Sequence, residues 1–323
     1  MPASKPSDAQ ILIAADPAIA RAVALLRDGQ PVALPTETVY GLAADASRAD
    51  AVAAIYRTKR RPDFNPLIVH VGDVVAARRL AVFDARAEKL AAAFWPGPLT
   101  MVLPLAQGAN VAPAVTAGLP TIALRCPAHP VMCAVLQATG MALAAPSANR
   151  SGTISPTSAQ HVAASLGAGV ALIIDGGPCS AGLESTIVAL RNFGGVSADG
   201  GWQLLRPGPV DPAQIAALLG EEAMQLVDQS IEAPGQLASH YAPSKPLRLN
   251  VETAAPDEWL IGFGAIAGDD TLSARGDLAE AAANLYAALH RADAAAKPRI
   301  AIVRVPAVGM GGAINDRLKR AAA

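Results

Sequence analysis

The stretch "KRRPDFNPLIVH" at residues 59–70 sets three cations against a proline-braced turn that runs straight into an apolar strand. Lys59 and Arg61 stand two apart, so they cannot share one helical face. Pro62 bounds the helix before it. Two cations splayed at a fixed helix end could grip a phosphate, Arg61 with a planar fork and Lys59 as a point charge. The alternative is a solvated helix C-terminus, where cations are favoured by the dipole anyway. His70 closes the strand; a histidine satisfied by backbone is the commoner occupant of such a place. Arg125 closes "TIALR" in the same way, and a buried arginine needs an anionic partner, carboxylate or phosphate. Ser147 and Asn149 in "APSANRSG" follow another apolar strand, as a turn or as an anion cradle. Glu184, Ser185 and Thr186 precede a strand, and Arg206 ends "WQLLR". Taken together, these strand-end residues predict one cationic pocket for a polyanion and a second group. No carboxylate pair or Cys/His set accompanies them. The chemistry implied is positioning and charge stabilisation, as in nucleotidyl transfer.

Other motifs narrow the field. There is no GxxxxGK[ST], HExxH, GxSxG or EF-hand loop, and "GFGAIAG" at 262–268 reads as a strand-end turn because its third glycine is misplaced. Cys126, Cys133 and Cys179 form no CxxC and no zinc spacing, which fits a reduced compartment. A formal net charge of −1 argues against a nucleic-acid or membrane surface over the whole protein. The N-terminal "MPASKPSDAQ" has no apolar signal core, and no apolar run approaches the roughly 18 residues of a membrane span. The expectation is a cytoplasmic protein with no membrane contact.

The elements that must position the candidate residues follow from periodicity. Hydrophobic residues make up 52% of the 323 positions and aromatics only 4%, so aliphatic side chains and alanine must fill the core. Helices are predicted from Asp16-Pro17 to Gly29, over 50–60, 73–80, 84–95 and 128–139, from Ser155-Pro156 onward, and over "DPAQIAALLG". Between them lie "PVALP", "PLIVHV", "PLTMVLP", "TIALR", "MALAAP", "ALIID", "STIVAL" and "WQLLRP". These strands are apolar on both faces, as in a buried α/β sheet with an antiparallel share. Periodicity fades after Glu221, and "EAPGQLASHYAPSKP" reads as a linker. Beyond it, "LRLNV", "WLIGFG", a helix from Asp277 to about Asp293, "RIAIVRVP" and a helix over "AINDRLKRA" predict a small second α/β unit.

In this order, "LPTETVYGLAADA", "KRRPDFNPLIVHV", "WPGPLT", "TIALRCPAHP", "APSAN", "DGGPCSAGLESTIV" and "LLRPGPV" resemble the YrdC/Sua5 family. "SHYAP" and "GAINDRLKRA" resemble its longer Sua5 type. The resemblance covers nearly the whole chain. It implies a twisted mixed α/β sheet of YrdC-like type around a large cationic cavity, with a small Rossmann-like C-terminal Sua5 domain. The implied boundaries are 1–220 for the catalytic domain, 221–245 for a linker or lid, and 246–323 for the second domain.

The activity implied is L-threonylcarbamoyladenylate synthesis. L-threonine, bicarbonate and ATP, with Mg²⁺, give threonylcarbamoyl-AMP and pyrophosphate for the t6A modification of tRNAs that read ANN codons. The partners implied are the downstream t6A-transfer machinery and a weak tRNA contact. Carried over by position, threonine falls to Thr38, His70, Arg125, Ala145 and Ser185. ATP falls to Arg61, Asn65, Thr121, Ser147, Asn149, Ser155, Arg206 and Tyr241. Lys59 and Arg61 take the charge that builds up in adenylyl transfer, and no protein carboxylate is assigned to the metal. Two positions depart from the family pattern: Ala43 and Arg60 stand where glycine is usual. Ala43 is expected to tighten a turn and Arg60 to face solvent. The rival reading is an RNA-binding module that uses the same basic cavity without turnover.

Overall fold

A computed structural model describes residues 9–191, 201–224, 232–236 and 240–323. Its first unit contains β1 (Gln10–Ile13), β2 (Val32–Leu34), β3 (Gly41–Asp45), β4 (Ile68–His70), β5 (Leu99–Pro104), β6 (Thr121–Arg125), β7 (Leu143–Ala144), β8 (Leu172–Asp175), β9 (Thr186–Arg191) and β10 (Gly201–Arg206). They form one ten-stranded sheet in the order β1-β8-β2-β3-β7-β4-β6-β5-β9-β10. The sheet is mixed. For example, β4 runs parallel to β6 and β5 to β9, while β5 and β6, and β9 and β10, are antiparallel.

The helices are α1 (Asp16–Arg27), α2 (Ala49–Lys59), α3 (Val74–Arg78), α4 (Ala85–Phe94), α5 (Pro113–Thr116), α6 (Pro130–Thr139), α7 (Ala159–Leu166) and α8 (Pro212–Leu219). The sequence reading differs at two places that bear on the site. The helix expected from Ser155-Pro156 starts three residues later, because Ser158 supplies the cap by accepting from the His161 N–H. Ser155 is buried and its hydroxyl is used elsewhere. "GLAAD" is strand β3, which puts Ala43 inside a strand and not in a turn. Arg60 does face solvent, and its backbone is left-handed, φ +52°, as the cap of α2. That conformation favours glycine.

The second unit is an all-parallel sheet of β11 (Leu247–Val251), β14 (Arg299–Val303), β12 (Glu258–Gly262) and β13 (Asp270–Thr271), in that order, with α9 (Leu278–Ala294) and α10 (Met310–Ala321). The two units share a core. Val39, Ile154 and Leu183 of the first, with Tyr241 of the connecting segment, pack with Ala282, Leu285 and Tyr286 of α9 and Ile314 and Leu318 of α10. Among the described residues no helix is long and apolar enough to cross a membrane.

Candidate active site

The β4–β6 pairing creates the centre of the site. Both strands are short apolar runs ending in one polar residue, and their parallel register sets His70 directly beside Arg125. Ile68 and His70 alternate onto one face of the sheet, and both line a cavity above it. The site therefore lies over the sheet face rather than beyond its edge. Arg61, Thr38, Arg125, Ala145, Ser147, Ser185, Arg206 and Tyr241 also line this cavity, with Glu184 and His240. Its volume is about 50 Å³, smaller than the large cavity that the family resemblance implies. Pro234, Gly235, His240 and Tyr241 of the connecting segment close it. Ala233 packs on the same sheet face, among Ile68, Val102, Ile187 and Leu205.

Arg61 reaches the cavity because α2 ends at Lys59 and the left-handed Arg60 turns the chain back. Arg61 Nε donates to the Asn65 carbonyl at 3.1 Å and Nη2 to the Pro66 carbonyl at 2.8 Å. Burial pulls this guanidinium down to about 10. Lys59 does not line the cavity. It is only 1% exposed, and its Nζ donates to the carbonyls of Ser147 and Asn149 and to Asn149 Oδ1. Its pKa is well below the ordinary lysine value, first through burial and then through Arg61. The lysine thus clamps the 147–149 loop, and Asn149 Nδ2 continues the network to the Thr153 carbonyl at 2.8 Å.

Arg125 is held on three sides. Nη1 donates to Thr38 Oγ1 at 2.8 Å, Nε to the Gly97 carbonyl at 3.2 Å, and Nη2 lies 2.6 Å from Glu37 Oε1. Although burial raises the Glu37 carboxyl, Arg125 holds it below its ordinary value. His70 is pushed down to about 3 by burial and then by Arg125, so its ring is neutral at pH 7, and Nδ1 has no partner. On the other wall, Arg206 donates to the Ser185 carbonyl from Nε and Nη2, and to Ser185 Oγ at 3.1 Å. Ser185 Oγ also pairs with Thr100 Oγ1 at 2.7 Å.

Asn65 has both side-chain polar atoms buried and unpartnered, and so is the Tyr241 hydroxyl. Burying such groups costs about 1–3 kcal/mol each unless a ligand or water meets them. A Cβ on Gly235 would come within 2.6 Å of that hydroxyl and 3.0 Å of Arg206 Cδ, so only glycine fits there. Ser155 meets the cavity through Glu184, whose Oε1 accepts from Ser155 Oγ at 2.5 Å. Thr121 begins β6, four residues before Arg125, and does not line the cavity.

Sequence reasoning assigned no role to Glu37, Glu184, His240, Tyr286 or Arg317. Glu37 was legible as the carboxylate between two threonines in "PTET". Arg317 looked like any charge on an amphipathic helix, and only docking of α10 buries it.

Two family models divide the chain. Residues 24–208 match the Sua5–YciO–YrdC model, described as "Telomere recombination", and residues 210–323 match "Threonylcarbamoyl-AMP synthase, C-terminal domain". The chain is 40% identical to the threonylcarbamoyl-AMP synthase of Bacillus subtilis, covering 95% of this chain and 93% of that one. It is 36% identical to the enzyme of the same name from Pyrococcus abyssi, over 93% and 92%. A crystal structure of P. abyssi Sua5 complexed with L-threonine superposes with a TM-score of 0.86 at 34% identity, covering 97% of each chain.

Proposed function

The chain belongs to the Sua5–YciO–YrdC family, and from that premise we infer that it makes threonylcarbamoyl-AMP from L-threonine, bicarbonate and ATP. The threonine amine takes up the bicarbonate carbon as a carbamate, with loss of water. A carbamate oxygen then attacks the α-phosphorus of ATP, the bond to the bridging oxygen breaks, and pyrophosphate leaves with the electron pair. The product serves t6A modification of tRNA.

The observation that carries this reading is the register that sets His70 beside Arg125 under a cavity whose walls also hold Arg61 and Arg206. Arg125 takes the threonine carboxylate, pre-oriented by Thr38, Gly97 and Glu37. Neutral His70 accepts or donates one hydrogen bond without adding charge beside Arg125. Ser185 and the backbone at Ala145 complete the threonine subsite. Arg61 and Arg206 meet the phosphates, with Asn65, Ser147, Asn149, Ser155 and Tyr241 on the nucleotide side, while Thr121, outside the cavity at the far end of β6, drops out of this set. Lys59 acts from behind, by fixing the 147–149 loop.

Among the described residues no group of three or more His, Cys, Asp or Glu could hold a metal ion. Both oxygens of Glu184, which lines the cavity, already accept from protein donors. The residues present do not fit a metal held by the protein. Mg²⁺ comes with the triphosphate, which suits its preference for phosphate and water.

A 50 Å³ cavity is too small for ATP, so the segment around Tyr241 acts as a lid that opens for the nucleotide and closes to keep water from the mixed anhydride. We propose 221–245 as this lid, of which 225–231 and 237–239 lie outside the described residues, between a catalytic unit over 1–220 and a Rossmann-like unit over 246–323. The protein works in the cytoplasm, handing its product to the t6A-transfer machinery with at most a weak tRNA contact.

The test is pyrophosphate release from ATP and bicarbonate, with and without L-threonine, with the product identified by mass. Threonine-dependent release with the threonylcarbamoyl-AMP mass is expected. Salt-dependent RNA binding without such release would overturn the reading.

A further inference from the structure

Glu184 is an odd residue to find in the wall of a cavity for a polyanion. Its charge would repel a triphosphate unless something offsets it. The compensation comes from the other unit of the protein. Arg317, in the last helix and 0% exposed, donates from Nε to Glu184 Oε2 at 2.8 Å. Tyr286 of α9 donates to the same oxygen at 2.9 Å. Arg317 Nη2 reaches the Pro207 carbonyl at 2.9 Å, directly after Arg206, and Nη1 pairs with Asp316 at 2.7 Å. The guanidinium carbon sits 5.2 Å from the centroid of the Tyr241 ring.

One arginine from the second unit therefore touches the carboxylate that holds Ser155, the backbone next to Arg206, and the face of the lid tyrosine. We propose that Arg317 is a positioning residue for the nucleotide half of the site, neutralising Glu184 and fixing Ser155 and Tyr241 through it. The proposal rests on the assignment of ATP to this wall. It gives the second unit a role in the reaction without contact with the reacting atoms. A buried ion pair is weak evidence of a gain in stability, since apolar replacements often do as well. The arrangement around Glu184 is explained by what the pair faces.

Charge distinguishes this role from simple packing. The groups facing Glu184 are Ser155, Arg206, His240, Tyr241, Tyr286 and Arg317. Burial raises the Glu184 carboxyl, yet Arg317 first and Arg206 second hold it down to about 2. In Arg317→Met the carboxylate loses its main counter-charge. It then repels ATP at neutral pH and takes up a proton as the pH falls.

The test uses the full-length protein, with equilibrium ATP binding measured beside steady-state turnover. Arg317→Met is expected to weaken ATP binding roughly tenfold or more at neutral pH, with the threonine KM unchanged. The deficit should shrink as pH is lowered from about 8 to 6, as Glu184 protonates. Arg317→Met with Glu184→Gln should recover most of the lost affinity. Arg317→Lys keeps the charge but not the fork, so it decides the matter should the methionine variant not fold. It should raise the ATP KM and leave the threonine KM alone. Equal rises in both KM values, a deficit independent of pH, or no recovery in the double variant would overturn the proposal. If the wild type binds ATP but shows no threonine-dependent turnover, the functional reading falls instead, and ATP binding still judges Arg317.

Discussion

The two walls of the cavity are built in different ways. The wall proposed for threonine comes from one sheet: Thr38 lies just before β3, and His70 and Arg125 sit side by side at the ends of β4 and β6. Its ion pair, Arg125 with Glu37, is internal to the first unit. The wall proposed for the nucleotide is assembled from contacts far apart in sequence. Ser155 meets Glu184, Glu184 meets Tyr286 and Arg317, and Arg206 meets Pro234 of the connecting segment. The lesson is that one sheet register can specify the wall proposed for the smaller substrate. The wall proposed for the larger substrate draws on the connecting segment and is braced by a second unit.

The sharpest way to break this contrast is to remove the brace. A fragment over 1–230 should lose measurable threonylcarbamoyl-AMP synthesis, since Tyr241, Tyr286 and Arg317 go with the second unit and Val39, Ile154 and Leu183 lose their apolar cover. Full turnover by the fragment in the pyrophosphate assay would refute the lid role. Next in size is Arg61→Ala, expected to lower turnover by about 10²–10³, the range for losing one group that stabilises transition-state charge. Circular dichroism should be unchanged, and near-normal turnover would remove Arg61 from the phosphate site. On the other wall, Arg125→Lys should raise the threonine KM by roughly 10–100-fold as the bidentate fork is lost, with ATP binding unaltered. Matching losses for both substrates would mean the walls are not separable.

The pH dependence of stability tests both walls together. His70 and His240, one on each wall, are pushed down to about 3, chiefly by burial. Between about 6.5 and 3 the unfolded chain binds protons at these sites that the folded protein refuses, so stability falls as pH falls through that window. The melting temperature should decline below about pH 6.5, and less steeply in His240→Asn. An unaltered slope would count against a buried neutral His240. The smallest effect is at the cap of α2. Arg60→Gly relieves a left-handed backbone, worth about 1 kcal/mol, and should raise the melting temperature with turnover unchanged.

Much of this was legible in the residues. Apolar runs of strand length ending in His70, Arg125 and Arg206 marked both the strands and the polar groups they deliver, because a buried strand tolerates charge only at its ends. The ordered motifs carried the family. Less legible was which way each group points. Lys59 and Arg61 looked like equal partners for phosphate, yet the left-handed turn at Arg60 sends one into the loop clamp and the other into the cavity. Thr121 matched a nucleotide-site position by motif but stands at the far end of β6 from Arg125.

By itself, then, the sequence determined the α/β alternation, the two units, the strand-end cations and the chemistry those cations suit. These follow from short-range periodicity and residue type. Only the tertiary structure decided the β4–β6 register, the closure of the cavity by Pro234, Gly235, His240 and Tyr241, and the burial of Glu184 against Arg317. The physical reason is that each depends on residues brought together from far along the chain. Burial then converts an ordinary surface-looking arginine into a fixed charge, and no local pattern encodes that conversion.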